Sequence, residues 1–423
     1  MSKKLQPVRG THDLLTADCL HYRHIVDTAR RVSGCYGFAE AMTPVFEFSE
    51  VFHRTLGETS DVVSKETYTF TDRGGESITL RPEFTASIAR AFISNGLQDQ
   101  LPCKFFYSGP AFRYERPQKG RLRQFHQIGV ELLGVEQVQA DIEIIALGQQ
   151  LFAALGLETL VTLELNSLGD TQSREDYRKA LVTYLSDHRT ALSEDSQLRL
   201  EKNPLRILDS KSEGDQSIIA NAPLMHDYFN DASRTFFDTL QSGLSQLGIA
   251  YTVNPKLVRG LDYYCHTVFE FTTAALGSQN AVLAGGRYDG LIGMMGGQHT
   301  PGIGFASGIE RIMALREEAA KLTAPASIRP IALIPLGDAA EKEMLQIAYR
   351  LRGAGYVVDQ SYNGNMSKRM KKADKMNAIA ALILGDDELK NGQITLRDFA
   401  TGTQTTIALA SLDTELISYK DRL

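Results

Sequence analysis

Apolar residues recur at helical spacing between Asp18 and Gly37, at Leu20, Ile25, Val26, Ala29 and Val32, and the run stops at a glycine, as an amphipathic helix should. From there to Phe48 the chain reads as a strand. Two strand-like runs, Tyr68–Phe70 and Ser77–Leu80, flank Asp72-Arg73-Gly74-Gly75 and predict a hairpin; Pro82 then stands where a helix through Ile93 would begin. Lys104–Glu115 and Gln124–Leu133 predict a second hairpin around a basic loop. An antiparallel sheet with helices laid against it makes the fold class α+β.

Between about Gly169 and Asn254 the chain turns charged and helix-rich, and strands are expected again at Leu257 and around Ala281. The middle segment therefore reads as a helical insertion. Gly302–Gly308, followed by a helix over Ile309–Glu317, looks like a glycine-rich strand-to-helix turn. Pro325 and Pro330 bracket a short linker. Beyond it strand and helix alternate over Ile331–Leu336, Ala339–Arg352, Tyr356–Gln360, Met366–Met376 and Ala378–Leu384. The expected division is a catalytic-type domain over 1–325, with the insertion at about 169–254, and a separate α/β domain over 326–423.

Composition adds limits. At 423 residues, 43% hydrophobic and 23% charged, the chain suits an ordinary globular protein of two or three domains. The longest apolar runs, such as Ala378–Leu384, fall far short of the roughly 18 residues that cross a bilayer. Met1–Gly10 is basic but runs into Thr11, His12 and Asp13, without the apolar stretch of a secretory leader, so a cytoplasmic protein without a membrane partner is expected. Cys19, Cys35, Cys103 and Cys265 are widely spaced and lack zinc-ligand spacing. A net charge of -6 argues against indiscriminate coating of nucleic acid and leaves room for local basic patches.

The second hairpin carries the most chemistry. Period-two alternation puts Phe125, Gln127, Gly129 and Glu131 on one face of the return strand, with Gly129 expected to leave a gap for a small polar ligand. The loop gathers Arg116, Lys119, Arg121 and Arg123 without an acid among them, which suits phosphates. Leu80-Arg81-Pro82-Glu83-Phe84-Thr85 puts an acid and a hydroxyl at a helix start, either as a cap or as a seat for a substrate ammonium. Leu257–Tyr264 and Ala284–Leu291 are glycine-punctuated and mix Arg, Asp and Tyr; separate turns with buried Arg–Asp pairs, or one shared pocket, would explain them.

In this order the segments resemble the class II aminoacyl-tRNA synthetases, and Leu257–Tyr264 with Ala284–Leu291 resemble the signatures of the histidine enzymes in that class. Phe112–Glu131 and Gly302–Leu315 are similar to the second and third class motifs, and Phe38–Phe52, with Pro44, to the first, which builds the dimer interface. The resemblance implies a histidine–tRNA ligase with an antiparallel-sheet catalytic domain and a carboxy-terminal anticodon-binding domain. It implies that Glu83, Thr85 and Gln127 hold the α-ammonium of L-histidine. Glu131 and Tyr264 would take the imidazole, with Tyr263 and Tyr288 in the same pocket. Arg113 and Arg259 would act on the α-phosphate and carboxylate as catalytic residues, with Glu115, Arg121, Phe125 and Arg311 around ATP. Mg²⁺ is expected on the ATP phosphates, without a dedicated protein metal site. Arg116 and Gln118 would meet the acceptor end of tRNA(His), and Lys368, Lys371 and Lys372 its anticodon side. A homodimer is implied.

The strongest rival is the non-catalytic histidine-sensing regulatory subunit of ATP phosphoribosyltransferase. That protein is expected to lack the anticodon domain and some of the ATP or tRNA residues, whereas Arg113, Arg259, Arg311 and the last domain are all here. A dinucleotide-binding reading of Gly302–Gly308 fails because the glycine spacing misses the fingerprint.

Overall fold

The computed structural model describes residues 4–56, 66–116, 121–259, 263–277, 280–319 and 329–420. They fall into two compact units, Met1–Thr323 and Ala324–Leu423. The first begins with helix α1 (Ala17–Cys35), whose Ile25, Val26, Ala29 and Val32 are buried, as their spacing requires. The expected single strand up to Phe48 is instead two, β1 (Ala39–Glu40) and β2 (Phe46–Phe48), which belong to different sheets. Pro44 lies in the break, where its missing N–H could not continue a ladder. After α2 (Glu50–Leu56) the first hairpin forms as expected, β3 (Tyr68–Thr71) against β4 (Ser77–Leu80), and β2 completes a three-stranded sheet in the order β2-β4-β3.

Helix α3 (Thr85–Ser94) starts three residues later than Pro82 suggests, because Glu83 stays outside it and its carboxylate accepts the N–H groups of Thr85 and Ala86. The second hairpin is β5 (Cys103–Phe112) with β6 (Gln124–Leu133), in a register that sets Tyr107 opposite Gly129 and Phe105 opposite Glu131. Helix α4 (Gln139–Ala154) and strand β7 (Thr162–Ser167) follow. The middle segment is helical, with α5 (Thr171–Asp187), α6 (Glu194–Lys202), α7 (Glu213–Ile219) and α8 (Asp231–Gln246) ahead of the short β8 (Thr252–Val253).

The strand expected at Leu257 is a turn, closed by the Leu257 N–H on the Asn254 carbonyl; β9 runs later, over Cys265–Thr272. Then come β10 (Ala281–Arg287), the one-turn α9 (Leu291–Met294), β11 (Gly302–Gly308) and α10 (Ile309–Glu318). The glycines of 302–308 are thus a strand, not a turn. They belong to the middle of an eight-stranded, largely antiparallel sheet in the order β1-β5-β6-β11-β10-β9-β7-β8. A Cβ on Gly304 would overlap the Glu131 carboxylate and the Val130 carbonyl, so close approach, not turn geometry, requires glycine there.

Along β6, Ile128, Val130 and Leu132 join the core formed with α1, α4 and α10, leaving the alternate residues for the opposite face. The second unit has a sheet ordered β13-β12-β14-β15-β16, built from β12 (Ile331–Pro335), β13 (Val358–Gln360), β14 (Ala380–Leu384), β15 (Gln393–Asp398) and β16 (Gln404–Ala408). Its first three strands are parallel and alternate with α11 (Asp338–Gly353) and α12 (Met366–Lys375). The antiparallel pair β15–β16 at its end went unread in the sequence.

Candidate active site

A cavity of about 740 Å³ opens against β6, β10 and β11, and the alternation of β6 delivers Phe125, Gln127 and Glu131 to it. Gly129, the fourth residue of that row, does not leave the expected gap. Across the ladder the Tyr107 ring fills that room, so that a Cβ on Gly129 would overlap the phenol and the Phe305 carbonyl. Tyr107 is fully buried, stacks on Phe84 at 4.4 Å and donates its hydroxyl to Glu131 Oε1 at 3.2 Å. The Thr85 hydroxyl donates to the same oxygen at 2.7 Å, and the Tyr288 hydroxyl donates to Oε2. Glu131, 1% exposed, thus faces three hydroxyl donors and, among the described residues, pairs with no cation. Burial pushes its carboxyl up to about 8, against the pull of the hydroxyls.

Glu83 lies beside it, with its carboxylate oxygens 2.6 Å and 2.8 Å from the Thr85 and Ala86 amides. The cap and the cavity wall are therefore one residue. Burial raises the Glu83 carboxyl too, and the two amides and the Arg113 charge oppose it. The Gln127 carbonyl oxygen is buried without a hydrogen-bond partner, an acceptor with open capacity at the cavity wall.

The two glycine-punctuated segments meet here. Tyr263, Tyr264 and Tyr288 line the cavity, with the Tyr263 ring 4.6 Å from Tyr264 and 5.7 Å from Tyr288. Gly260, Leu261 and Asp262 lie outside the described residues. Arg287 of the second segment points away from the cavity. It is fully buried and bonds Asp141 of α4 and Asp289, so a buried Arg–Asp pair and a shared pocket both exist, in different residues of one segment.

Charge gathers at the rest of the wall. Arg113 donates Nε to the Pro82 carbonyl at 3.0 Å and lies 5.3 Å from the Phe125 ring. Arg121 pairs with Glu115 at 3.1 Å. Arg259 pairs with Glu270, a cavity acid in the apolar strand β9 that the sequence reading passed over. The buried Arg259 Nε lacks a hydrogen-bond partner. Arg311 reaches the Ala281 carbonyl at 2.6 Å, and burial together with the Arg121 and Arg113 charges lowers its pKa.

From the helical segment, Arg199, Arg206 and Lys211 border the same cavity, and Arg174 donates to the Tyr264 carbonyl at 2.7 Å. Nothing in the sequence pattern marked these four. Arg116 is exposed, whereas Gln118 and Lys119 fall in 117–120, outside the described residues. In the second unit, Lys368, Lys371 and Lys372 are exposed on α12, with Lys372 3.0 Å from Asp359. Among the described residues no three His, Cys, Asp or Glu converge as a metal-binding group.

Residues 10–312 match the family model described as histidyl-tRNA synthetase, and 331–419 match that of an anticodon binding domain. The histidine–tRNA ligase of Rhodospirillum rubrum is 58% identical over 97% of this chain and 98% of its own length. That of Gluconobacter oxydans is 54% identical over 96% and 97%. Among solved structures, apo histidyl-tRNA synthetase of S. aureus superposes with a TM-score of 0.82 at 34% identity, covering 97% of this chain and 98% of that one.

Proposed function

The chain belongs to the histidyl-tRNA synthetase family, and we propose that the cavity on its eight-stranded sheet is where L-histidine meets ATP and then tRNA(His). The activity is that of an aminoacyl-tRNA synthetase, a histidine–tRNA ligase with ATP as substrate. The observation that carries the site assignment is the convergence of Glu83, Thr85, Gln127, Glu131 and Tyr264 with Arg113 and Arg259 on one cavity.

In the proposed arrangement Glu83, the Gln127 carbonyl and Thr85 receive the α-ammonium, while Glu131 and the Tyr264 hydroxyl serve the two ring nitrogens, between Tyr263 and Tyr288. A neutral imidazole has one donor and one acceptor nitrogen, so a carboxylate and a phenol satisfy both. Rings without these atoms would leave buried polar groups unpaired, a discrimination of about 10⁴ to 10⁵ that makes editing unnecessary.

Arg113 and Arg259 draw the carboxylate and the α-phosphate together. A carboxylate oxygen attacks the α-phosphorus in line, the P–O bond to the β-phosphate breaks, and pyrophosphate leaves with its electron pair. Glu115, Arg121, Phe125 and Arg311 hold the nucleotide. The work is positioning and charge neutralisation, without an enzyme nucleophile. Mg²⁺ would accompany the outer phosphates of ATP and neutralise their charge; Glu115 and Glu270 at the cavity wall each already face an arginine and would not hold it. In the second step the terminal ribose hydroxyl of tRNA attacks the carbonyl carbon and AMP departs, with Arg116 and Gln118 at the acceptor end. ATP–pyrophosphate exchange without tRNA, run against each standard amino acid, tests the pocket: exchange with histidine alone is expected. Exchange with another amino acid would overturn the roles of Glu131 and Tyr264.

Phe46 and Phe48 on β2 and Phe70 on β3 are 52%, 58% and 49% exposed, an apolar face of the three-stranded sheet that supports a homodimer. Phe46→Asp with Phe48→Asp is expected to shift sedimentation to a monomer; an unchanged dimer would move the interface elsewhere. On α12, Lys368, Lys371 and Lys372 are proposed to meet the anticodon-side phosphates. Reversing Lys371 and Lys372 to Glu should weaken tRNA binding and reduce its salt slope by about 1 per lost phosphate contact, and unchanged affinity and slope would exclude them. No described helix is long and apolar enough to cross a membrane, and the proposed place of action is the cytosol.

A further inference from the structure

Arg81 is 3% exposed, and among the described residues no carboxylate hydrogen-bonds to it. Its Nε donates to the Pro110 carbonyl at 2.8 Å, while Nη1 donates to the Thr43 carbonyl at 2.9 Å, the Thr43 hydroxyl at 3.1 Å and the Pro44 carbonyl at 3.2 Å. The guanidinium lies 3.8 Å from the centroid of the Phe84 ring, and Phe84 stacks in turn on Tyr107, the residue that donates to Glu131. Burial lowers its pKa to about 10, so it stays charged at neutral pH.

Such a group does not look like a stability device. A buried cation hydrogen-bonded only to neutral oxygens costs desolvation, which the Glu47 charge offsets only in part. What it does join is informative. Its backbone closes on both neighbours, Arg81 N–H to the Val45 carbonyl at 3.0 Å and Phe112 N–H to the Arg81 carbonyl at 3.0 Å. The next two residues are Pro82, whose carbonyl receives Arg113 Nε, and Glu83. One residue therefore ties the 43–45 segment, the end of β5 and the Glu83–Phe84 turn together behind the cavity, its side chain through Thr43, Pro44, Pro110 and Phe84 and its backbone through Val45 and Phe112.

We propose that Arg81 is a positioning residue for amino-acid activation: through Pro82 and Phe84 it holds Arg113, Glu83 and Glu131 in the mutual geometry that adenylate formation needs. This rests on the roles proposed above for those three residues. Lysine cannot take its place, because a single ammonium cannot reach Pro110 on one side and Thr43–Pro44 on the other while lying flat on Phe84. A displacement of about 1 Å at reacting groups costs on the order of 10²-fold in rate.

The test is histidine-dependent pyrophosphate exchange by full-length Arg81→Lys and Arg81→Met, assayed well below the melting temperature of each. Both variants are expected to lose kcat by at least about tenfold. KM for ATP should stay within about twofold, because Arg121 and Arg311 do not touch Arg81. Wild-type kcat in the lysine variant, or a lowered melting temperature with unchanged kcat in both, would overturn the proposal. Thr43→Val removes one 3.1 Å acceptor and leaves the guanidinium in place, so it decides the matter if neither Arg81 variant folds: a several-fold fall in kcat supports the role and no change refutes it. If the unsubstituted enzyme shows no exchange with histidine, the site assignment fails instead, before the variants are compared.

Discussion

Arg259→Ala should abolish most histidine-dependent pyrophosphate exchange, by ~10³-fold, about 4 kcal/mol of transition-state stabilisation, while histidine affinity changes only a few-fold. The reason is where the guanidinium sits. It pairs with Glu270, lies 5.8 Å from the Tyr264 ring centroid, and has its Nε buried without a hydrogen-bond partner. A buried donor with its hydrogen-bonding capacity open is preorganised for the charge that develops at the α-phosphate as the carboxylate attacks. Truncation also leaves Glu270 without its partner in a half-buried place, but desolvation already raises that carboxyl against the Arg259 charge. Without its partner it can take up a proton, so the fold is not asked to carry an isolated charge. Calorimetry suits the binding arm, since the chain has no tryptophan to report on the pocket. Exchange within tenfold of wild type would remove Arg259 from the α-phosphate. A parallel loss of histidine affinity would mean that it binds the ground state as strongly as the transition state.

How far the sequence could be read depended on whether a signal was local. The alternation of Phe125, Gln127 and Glu131 on β6 is a property of ten consecutive residues, and the cavity receives those three side chains as the period requires. Tyr107 was invisible because its part depends on register: only the pairing Tyr107–Gly129 brings its ring into the room the glycine leaves. Arg287 and Asp141 are 146 positions apart, and no pattern within either segment announces their meeting. The same holds for Arg174, whose helix reads as a solvated insertion yet touches the Tyr264 carbonyl.

Two misreadings have a common physical source. Glycine serves both turns and close approaches, so the run from Gly302 to Gly308 fits a strand-to-helix turn as well as a strand on which Gly302 and Gly304 have no room for a Cβ. Proline favours the first turn of a helix, but Pro82 precedes a carboxylate that can cap, and Glu83 moves the start to Thr85. In both cases the side chains around the site override the local preference. That is where propensity is expected to fail, because the site needs a geometry the backbone would not choose alone.

Glu131 should make histidine binding depend on pH, and the sign follows from its surroundings. Burial holds the free carboxyl at about 8, with Glu83 as the like charge that adds to this and the hydroxyls of Tyr288, Thr85 and Tyr107 opposing it. At pH 7 the group is therefore mostly protonated; its neutral oxygen is a weaker acceptor for a ring N–H than the carboxylate, so binding favours the ionised form and the loss of that proton. Histidine binding is expected to release close to one proton at pH 7, to tighten by up to about tenfold per unit as pH rises towards 8, and to level off above it. Titration calorimetry in two buffers of different ionisation enthalpy counts that proton directly. Glu131→Gln keeps an acceptor oxygen but has no proton to lose: it should weaken histidine by about 10- to 100-fold, the worth of a hydrogen bond to a charged group, and remove the buffer dependence. The paired measurement also cancels the titration of histidine itself, which is common to both proteins. Net proton uptake by the wild type, or equal buffer dependence in the two, would show that the imidazole arrives carrying the proton or does not meet Glu131 at all.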